Sequence, residues 1–230
     1  MQKITKVPVI TLDGPGGTGK GTICHMLAHK LTWHCLDSGA IYRVFAYAAM
    51  QQNLGLHDLD KLISLAKSLP LTFDTDASHG HQIVLNRENV TKAIRAEHCG
   101  QMASTFAVIP ELRQALLQRQ RNFAMMPGLV TDGRDMGTVV FPDAGLKIFL
   151  TASTIERAQR RFLQLQAEGL DISLETVMLE LQKRDERDSQ REVSPLKAAV
   201  DAIEIDTSDK SVIEVFERIY HLAKKTFSLD

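Results

Sequence analysis

Val7-Pro8-Val9-Ile10-Thr11-Leu12-Asp13-Gly14-Pro15-Gly16-Gly17-Thr18-Gly19-Lys20-Gly21-Thr22 is the stretch on which the fold turns. Its first six residues form a near-continuous apolar run, as expected of a strand buried on both faces. Glycines follow, and then Ile23, Met26, Leu27 and Leu31 recur at helical spacing. Strand, G-x-x-x-x-G-K and helix, in that order, make a phosphate cradle. Consecutive backbone N–H groups turn inward around the anion, Cβ atoms would block that approach, and the helix N-terminus adds partial positive charge. Gly14, Pro15, Gly16, Gly17, Thr18, Gly19, Lys20, Gly21 and Thr22 are therefore the expected triphosphate-binding loop, with Lys20 reaching the β and γ phosphates. Gly21 stands where the general motif has Ser or Thr. No dedicated metal ligand is expected, and Mg²⁺ would be held mainly through phosphates and water.

Outward from the loop, short β-branched runs alternate with amphipathic stretches. Trp33–Leu36, Leu129–Thr131, Lys147–Leu150 and Ala202–Ile205 read as further strands, each beside helical pattern. That alternation predicts an α/β fold with a parallel sheet covered on both faces. Two segments break the rhythm. Leu71-Thr72-Phe73, the polar cluster Asp74 to Gly80 and Gln82–Asn86 read as a small inserted antiparallel unit. Residues 155–191 are almost wholly helical and rich in Arg, with a turn at Glu168-Gly169. The expected division is a core of 1–66, 123–154 and 195–230, an insertion over 67–122, and an Arg-rich lid with flanking helices over 155–194.

Composition narrows the function. Of 230 residues, 44% are hydrophobic and 24% charged, as in soluble globular domains rather than disordered or fibrous chains. With 27 Lys and Arg against 28 Asp and Glu, the net charge of −1 offers no field for a nucleic-acid polymer or an anionic membrane. Cys24, Cys35 and Cys99 are odd in number and far apart, which fits free thiols in a reducing compartment. No apolar run approaches the ~20 residues of a membrane span. A cytoplasmic protein is expected, and nothing in the sequence demands a dimer.

A triphosphate loop alone does not name a reaction. Thr131-Asp132-Gly133-Arg134-Asp135-Met136-Gly137-Thr138 follows a strand and so projects at the ligand edge of the sheet. It reads either as a polar turn with a local ion pair or as the start of a second anion site. Leu174, Val177, Met178 and Leu181 form an apolar stripe at i, i+3, i+4 and i+7. Helical steps carry the same stripe to Arg184, Asp188 and Arg191. One face thus turns from apolar to charged without rotating, either as surface i,i+4 pairs or as a helix end facing a polar cleft. Arg157, Arg160 and Arg161 read as a basic solvent face or as a lid over phosphates. His25 with His29, and His79 with His81, lack ligand company for a metal. Asp13 reads as a loop-ordering acceptor, and Cys35 as a small buried hydrophobe.

These motifs resemble the bacterial cytidylate kinases, the CMP/dCMP kinases of the nucleoside monophosphate kinase group. The most specific are Leu36-Asp37-Ser38-Gly39-Ala40-Ile41-Tyr42-Arg43, Asp132-Gly133-Arg134-Asp135-Met136-Gly137-Thr138-Val139-Val140-Phe141-Pro142 and Arg184-Asp185-Glu186-Arg187-Asp188. The G-K-G-T of the loop also matches, and the similarity runs from about Val9 to Thr207. It implies a P-loop kinase with a five-stranded parallel sheet flanked by helices, a helical lid and an inserted β-containing subdomain for the monophosphate. It also implies ATP as donor and CMP or dCMP as acceptor. On the acceptor side, Asp132 belongs to the matching turn, and Asp135 would accept from the cytosine amine while Ser104 and Arg113 donate to the base. Ser38 and Asp188 would hold the sugar; Arg43, Arg134 and Arg191 would hold the phosphate, with Arg184 nearby. Lys20, Arg134, Arg191 and the lid arginines Arg157 and Arg161 would act on the transferring group. Phe106 departs from the smaller aliphatic residue usual in similar enzymes. A kinase for UMP or a metabolite alcohol, and a non-catalytic nucleotide switch, are the competing readings.

Overall fold

The computed structural model describes residues 6–74, 82–167 and 169–229. Its contacts divide the chain into two compact units, Met1–Asp37 with Arg121–Asp230, and Ser38–Gln120.

The first unit is built on β1 (Val9–Asp13), whose five residues are all buried. The loop and α1 (Lys20–Leu31) follow, then β2 (His34–Asp37). After the second unit the chain returns with β6 (Leu129–Asp132), β7 (Leu146–Thr151), α6 (Thr154–Ala167), α7 (Leu174–Ser189), β8 (Ile203–Asp206) and α8 (Val212–Phe227). The strands form one parallel sheet in the order β2-β6-β1-β7-β8. Alternate residues of the strands, such as Ile10, Leu12, Ile148 and Leu150, pack against Ile23 and Leu27 of α1 and Phe216 and Ile219 of α8. All five expected strands are present, each within two residues of its expected ends.

This strand order positions the site. The chain leaves β1 toward β2 on one side and leaves β6 toward β7 on the other. The crevice at this switch point lies at the carboxyl ends of β1 and β6, which pair with Leu12 opposite Asp132. The glycine loop after β1 and the Asp132–Asp135 turn after β6 are therefore neighbours. The arm over residues 154–189 has its own small core of Ala158, Leu165, Val177 and Leu181, with Leu174 and Met178 packed against it. Ser173 caps α7 by accepting from the Thr176 N–H at 3.1 Å.

The second unit contains α2 (Ser38–Gln51), α3 (Leu59–Ser68), an antiparallel sheet of β3 (Leu71–Asp74), β4 (Gln82–Leu85) and β5 (Glu88–Asn89), then α4 (Glu97–Phe106) and α5 (Pro110–Arg121). The expected antiparallel insertion is present, with one more short strand than the pattern indicates. The unit begins at residue 38, whereas the pattern places the boundary at 67. Periodicity marks α2 as apolar on one face without saying which body receives it. Phe45 of α2 packs edge-on against Phe106 of α4, ring centroids 5.3 Å apart, and so draws α2 into this unit. Residues 75–80 of the expected polar cluster, His79 and His81, and Glu168 of the expected turn lie outside the described residues.

Candidate active site

The cradle begins where β1 ends. Gly14 has φ +141°, and a Cβ there would lie 2.1 Å from the Leu150 carbonyl oxygen of β7, so only glycine lets the chain leave the sheet at this point. Gly19, with φ 86°, caps α1. Lys20 is buried, and its Nζ donates to the Pro15 carbonyl at 2.6 Å and to Thr18 Oγ1 at 3.3 Å. Burial and the neighbouring cations of Arg134 and Arg184 push the Lys20 ammonium well below its ordinary value, while Asp132 and Asp13 oppose them. A buried lysine pressed by two guanidinium groups marks a place where a phosphate would relieve repulsion.

The second loop is held by the root of the first. Asp13, the last residue of β1, accepts from the Met136 N–H at 2.8 Å and the Gly137 N–H at 2.7 Å. Its carboxylate thus starts the π-helical turn Met136–Val140 and fixes the turn that presents Arg134 and Asp135. Burial pushes the Asp13 carboxyl up to about 6, although both amides pull it down. Asp135 is buried, and its carbonyl accepts from Val139 and Val140.

Asp132 is buried too, opposite Asp37 in the β2–β6 register. Burial and the Asp37 charge hold its carboxyl well above the usual range, against the pull of Lys20. Its Oδ1 has no hydrogen-bond partner among the described residues. A buried carboxylate oxygen left open beside a phosphate cradle fits the water shell of Mg²⁺. Among the described residues no group of three or more His, Cys, Asp or Glu side chains is arranged to hold a metal ion.

The cationic cluster closes around Asp188 of α7. Arg134 Nε donates to Asp188 Oδ2 at 2.8 Å, Arg184 Nε lies 4.0 Å from the same oxygen, and Arg191 Nε donates to the Asp188 carbonyl at 3.2 Å. Burial raises the Asp188 carboxyl, but Arg134, Arg184 and Arg191 together bring it below the usual range. Arg134 also approaches the cradle: a Cβ on Gly16 would sit 3.6 Å from its Nη2. Of the expected charged continuation, Asp188 is buried, Arg184 is partly buried, and Arg191 is buried just past the end of α7, so it turns toward the loop rather than forming a solvated face.

Arg157 does not project from the arm. It is buried, with Nη1 donating to the Gly16 carbonyl at 3.1 Å and to Asp185, Nη2 to Thr154 at 3.1 Å and Nε to the Ala152 carbonyl at 3.2 Å. A guanidinium in so enclosed a place needs protein acceptors, and these tie α6 and α7 to the cradle. Arg161 is half-buried on α6. Arg160 instead holds Thr207, donating to its hydroxyl at 3.1 Å and its carbonyl at 2.7 Å; the Thr207 hydroxyl in turn lies against the carbonyls of Thr151 and Thr18. Neither the Asp185 nor the Thr207 bridge is visible in the sequence, since each joins segments far apart along the chain.

Within the second unit, Ser38 is buried and donates to Gln120 at 2.7 Å. Arg43 donates to the Ile94 carbonyl at 3.0 Å, and its guanidinium lies over Gly100, where a Cβ would meet it at 2.8 Å. Arg113 is buried, with its guanidinium over the Tyr42 ring and Nη1 donating to the Ala107 carbonyl at 3.1 Å. Ser104 Oγ is buried without a hydrogen-bond partner among the described residues, as a hydroxyl reserved for a ligand would be.

A glycine loop between a central parallel strand and a helix, facing a cluster of arginines at the sheet's switch point, defines a P-loop phosphotransferase class. The comparisons narrow it. The family described as cytidylate kinase matches residues 10–225. A cytidylate kinase of Pseudomonas syringae pv. tomato is 55% identical over 215 residues, covering 93% of this chain and 94% of that protein. One from Shewanella denitrificans is 50% identical over 224 residues, covering 97% and 99%. The chain belongs to the cytidylate kinase family. The fold is also shared with an uncharacterized protein from Eubacterium ventriosum, at TM-score 0.53 and 13% identity over 96% of this chain and 99% of that one.

Proposed function

We propose that this chain transfers the γ-phosphoryl group of ATP to CMP, and to dCMP, by direct in-line attack, as a step of pyrimidine nucleotide metabolism. The observation that carries the reading is the convergence of Arg134, Arg184 and Arg191 on Asp188 beside the buried Lys20. Two polyanions have to meet, and the acceptor phosphate alone bears about −2 near neutral pH. Phosphoryl transfer is mainly positioning and charge neutralisation, with no covalent intermediate required.

Lys20 and the loop amides of Gly14 to Thr22 hold the donor. Mg²⁺, when bound, would neutralise charge on the transferring phosphates, and Asp132, whose Oδ1 has no partner among the described residues, would help to hold it through water. Arg43, Arg134 and Arg191 hold the CMP phosphate, with Arg184 beside them. Arg157 positions the cradle through Gly16, and Arg161 approaches the transferring group from α6.

Cytosine presents an amine at C4 and bare acceptors at N3 and O2. Asp135 accepts from that amine, Ser104 and Arg113 donate to the base, and Ser38 and Asp188 engage the ribose. The lid over 155–194 and the monophosphate-binding segment over 67–122 exclude water during transfer, since an open site would hydrolyse ATP. No helix of the described residues is long and apolar enough to cross a membrane. Action as a cytoplasmic monomer on free nucleotides fits the near-neutral charge.

The test is ADP release measured with ATP alone, then with CMP, dCMP, UMP and AMP separately. Release that depends on CMP and dCMP is expected. A rate that needs no acceptor, or one equal for all four, overturns the reading.

A further inference from the structure

Two cysteines that look unrelated in the sequence meet beneath the cradle. Cys24 lies one helical turn after Lys20 on α1, and Cys35 lies on β2. Their Sγ atoms are 3.4 Å apart. A third group joins them: His25 Nδ1 is 3.5 Å from Cys35 Sγ. Cys24 is buried, and its Sγ is also within 3.4 Å of the Val130 carbonyl, while Cys35 is partly buried. The pair therefore has one partly buried sulfur, one fully buried sulfur in contact with it and an imidazole at its side.

We propose that Cys35 and Cys24 form a peroxide-reactive thiol pair, with Cys35 the attacking sulfur and Cys24 the resolving one. The contact distance carries the assignment. A disulfide needs the sulfurs at about 2.05 Å, so closure asks for a movement of little more than one ångström between a helix and the strand beside it.

The chemistry of the three groups agrees. Hydrogen bonding from Cys24, against the opposing effect of burial, and then the His25 imidazole, bring the Cys35 thiol down to about 6. The Cys35 sulfur raises His25 above its ordinary value, against burial, and the carboxylates of Asp37 and Asp132 add to the effect. Burial pushes the Cys24 thiol the other way. The nucleophile in thiol oxidation is the thiolate, so attack begins at Cys35.

The reaction balances with hydrogen peroxide as the two-electron oxidant. Cys35 thiolate attacks one peroxide oxygen; an S–O bond forms, the O–O bond breaks, and the departing hydroxide takes the proton that Cys35 had passed to His25, leaving as water. Cys35 is then a sulfenic acid. Cys24 sulfur attacks the Cys35 sulfur; the S–S bond forms, the S–O bond breaks, and hydroxide leaves as a second water with the Cys24 proton. Two thiols are oxidised and one peroxide is reduced.

Cys99 is the internal control. It is buried in the second unit, its Sγ donates to the Arg43 carbonyl at 3.2 Å, and burial raises its thiol.

The experiment treats the reduced, folded protein with hydrogen peroxide, alkylates it without reductant and maps the thiols by mass spectrometry. Cys24 and Cys35 are expected to become protected together in one linked peptide pair, with Cys99 still open to alkylation once the chain is unfolded, and dithiothreitol is expected to reverse the change. Cys24→Ser should stop at a sulfenic acid on Cys35 that dimedone traps. His25→Gln should slow alkylation of Cys35 near neutral pH by roughly tenfold. Unchanged alkylation of both cysteines, a link formed only after denaturation, or oxidation of Cys99 at the same rate would overturn the proposal. All of these readouts are independent of nucleotide turnover.

Discussion

Replacing Lys20 with Met keeps the aliphatic stem in its buried slot and removes the charge proposed to hold the donor phosphates. Loss of one such group costs about 10²–10³ in kcat, with the urea midpoint little changed; near-normal steady-state turnover would contradict the role of Lys20. On the proposed reading, Asp135→Ala removes the acceptor for the cytosine amine, so kcat/KM for CMP should fall about 10²-fold more than for UMP. Equal losses for the two substrates would remove Asp135 from base recognition. Asp13 makes a prediction about pH. Its folded value of about 6 lies above the ordinary 3.8, so between those values the native state binds more protons than the unfolded one. Its contribution to stability is complete below pH 3.8 and is lost as pH rises through about 6. Urea unfolding of Asp13→Asn at pH 4.5 and pH 7 should show the native protein losing more stability across that interval than the variant does. A variant with the same pH dependence as the native protein would separate Asp13 from the effect.

At the scale of elements, α4 offers a substitution that separates fold from binding. Alanine in place of Gly100 improves helix propensity by about 1 kcal/mol. Its Cβ would nevertheless meet the Arg43 guanidinium at 2.8 Å and swing that group aside. Gly100→Ala is therefore expected to hold or raise the urea midpoint while raising KM for CMP about tenfold with kcat nearly unchanged; an unaltered KM would detach Arg43 from the acceptor phosphate. The elements also show what a sequence discloses. The stripe from Leu174 to Leu181 and on to Arg184 and Asp188 was legible because helical periodicity reports which residues share a face. The five strands were legible because burial on both faces leaves an apolar run. Periodicity does not report the receiving body, so α2 falls in the second unit through a Phe45–Phe106 contact that no pattern encodes. The bond from Arg157 to the Gly16 carbonyl, the Asp13 carboxylate on the Met136 and Gly137 amides, and the meeting of Cys24 with Cys35 depend on tertiary placement in the same way. Each residue could be noticed in the sequence, but not its partner.

At the scale of the whole molecule, the proposed transfer between two nucleotides with water excluded predicts a more compact state when both substrates are present. Small-angle scattering with ATP and CMP analogues together should give a smaller radius of gyration than either analogue alone, and an unchanged profile would count against closure. The Thr207 bridge carries a consequence for synthesis. The hydroxyl that lies against the Thr18 carbonyl comes from just beyond β8, and Arg160 grips the same residue. A nascent chain still short of Thr207 has translated its glycine loop long before the residue that braces it. A fragment that stops short of Thr207 lacks this contact to the Thr18 carbonyl, and on the proposed reading it is expected to hold ATP more weakly than the chain that contains Thr207.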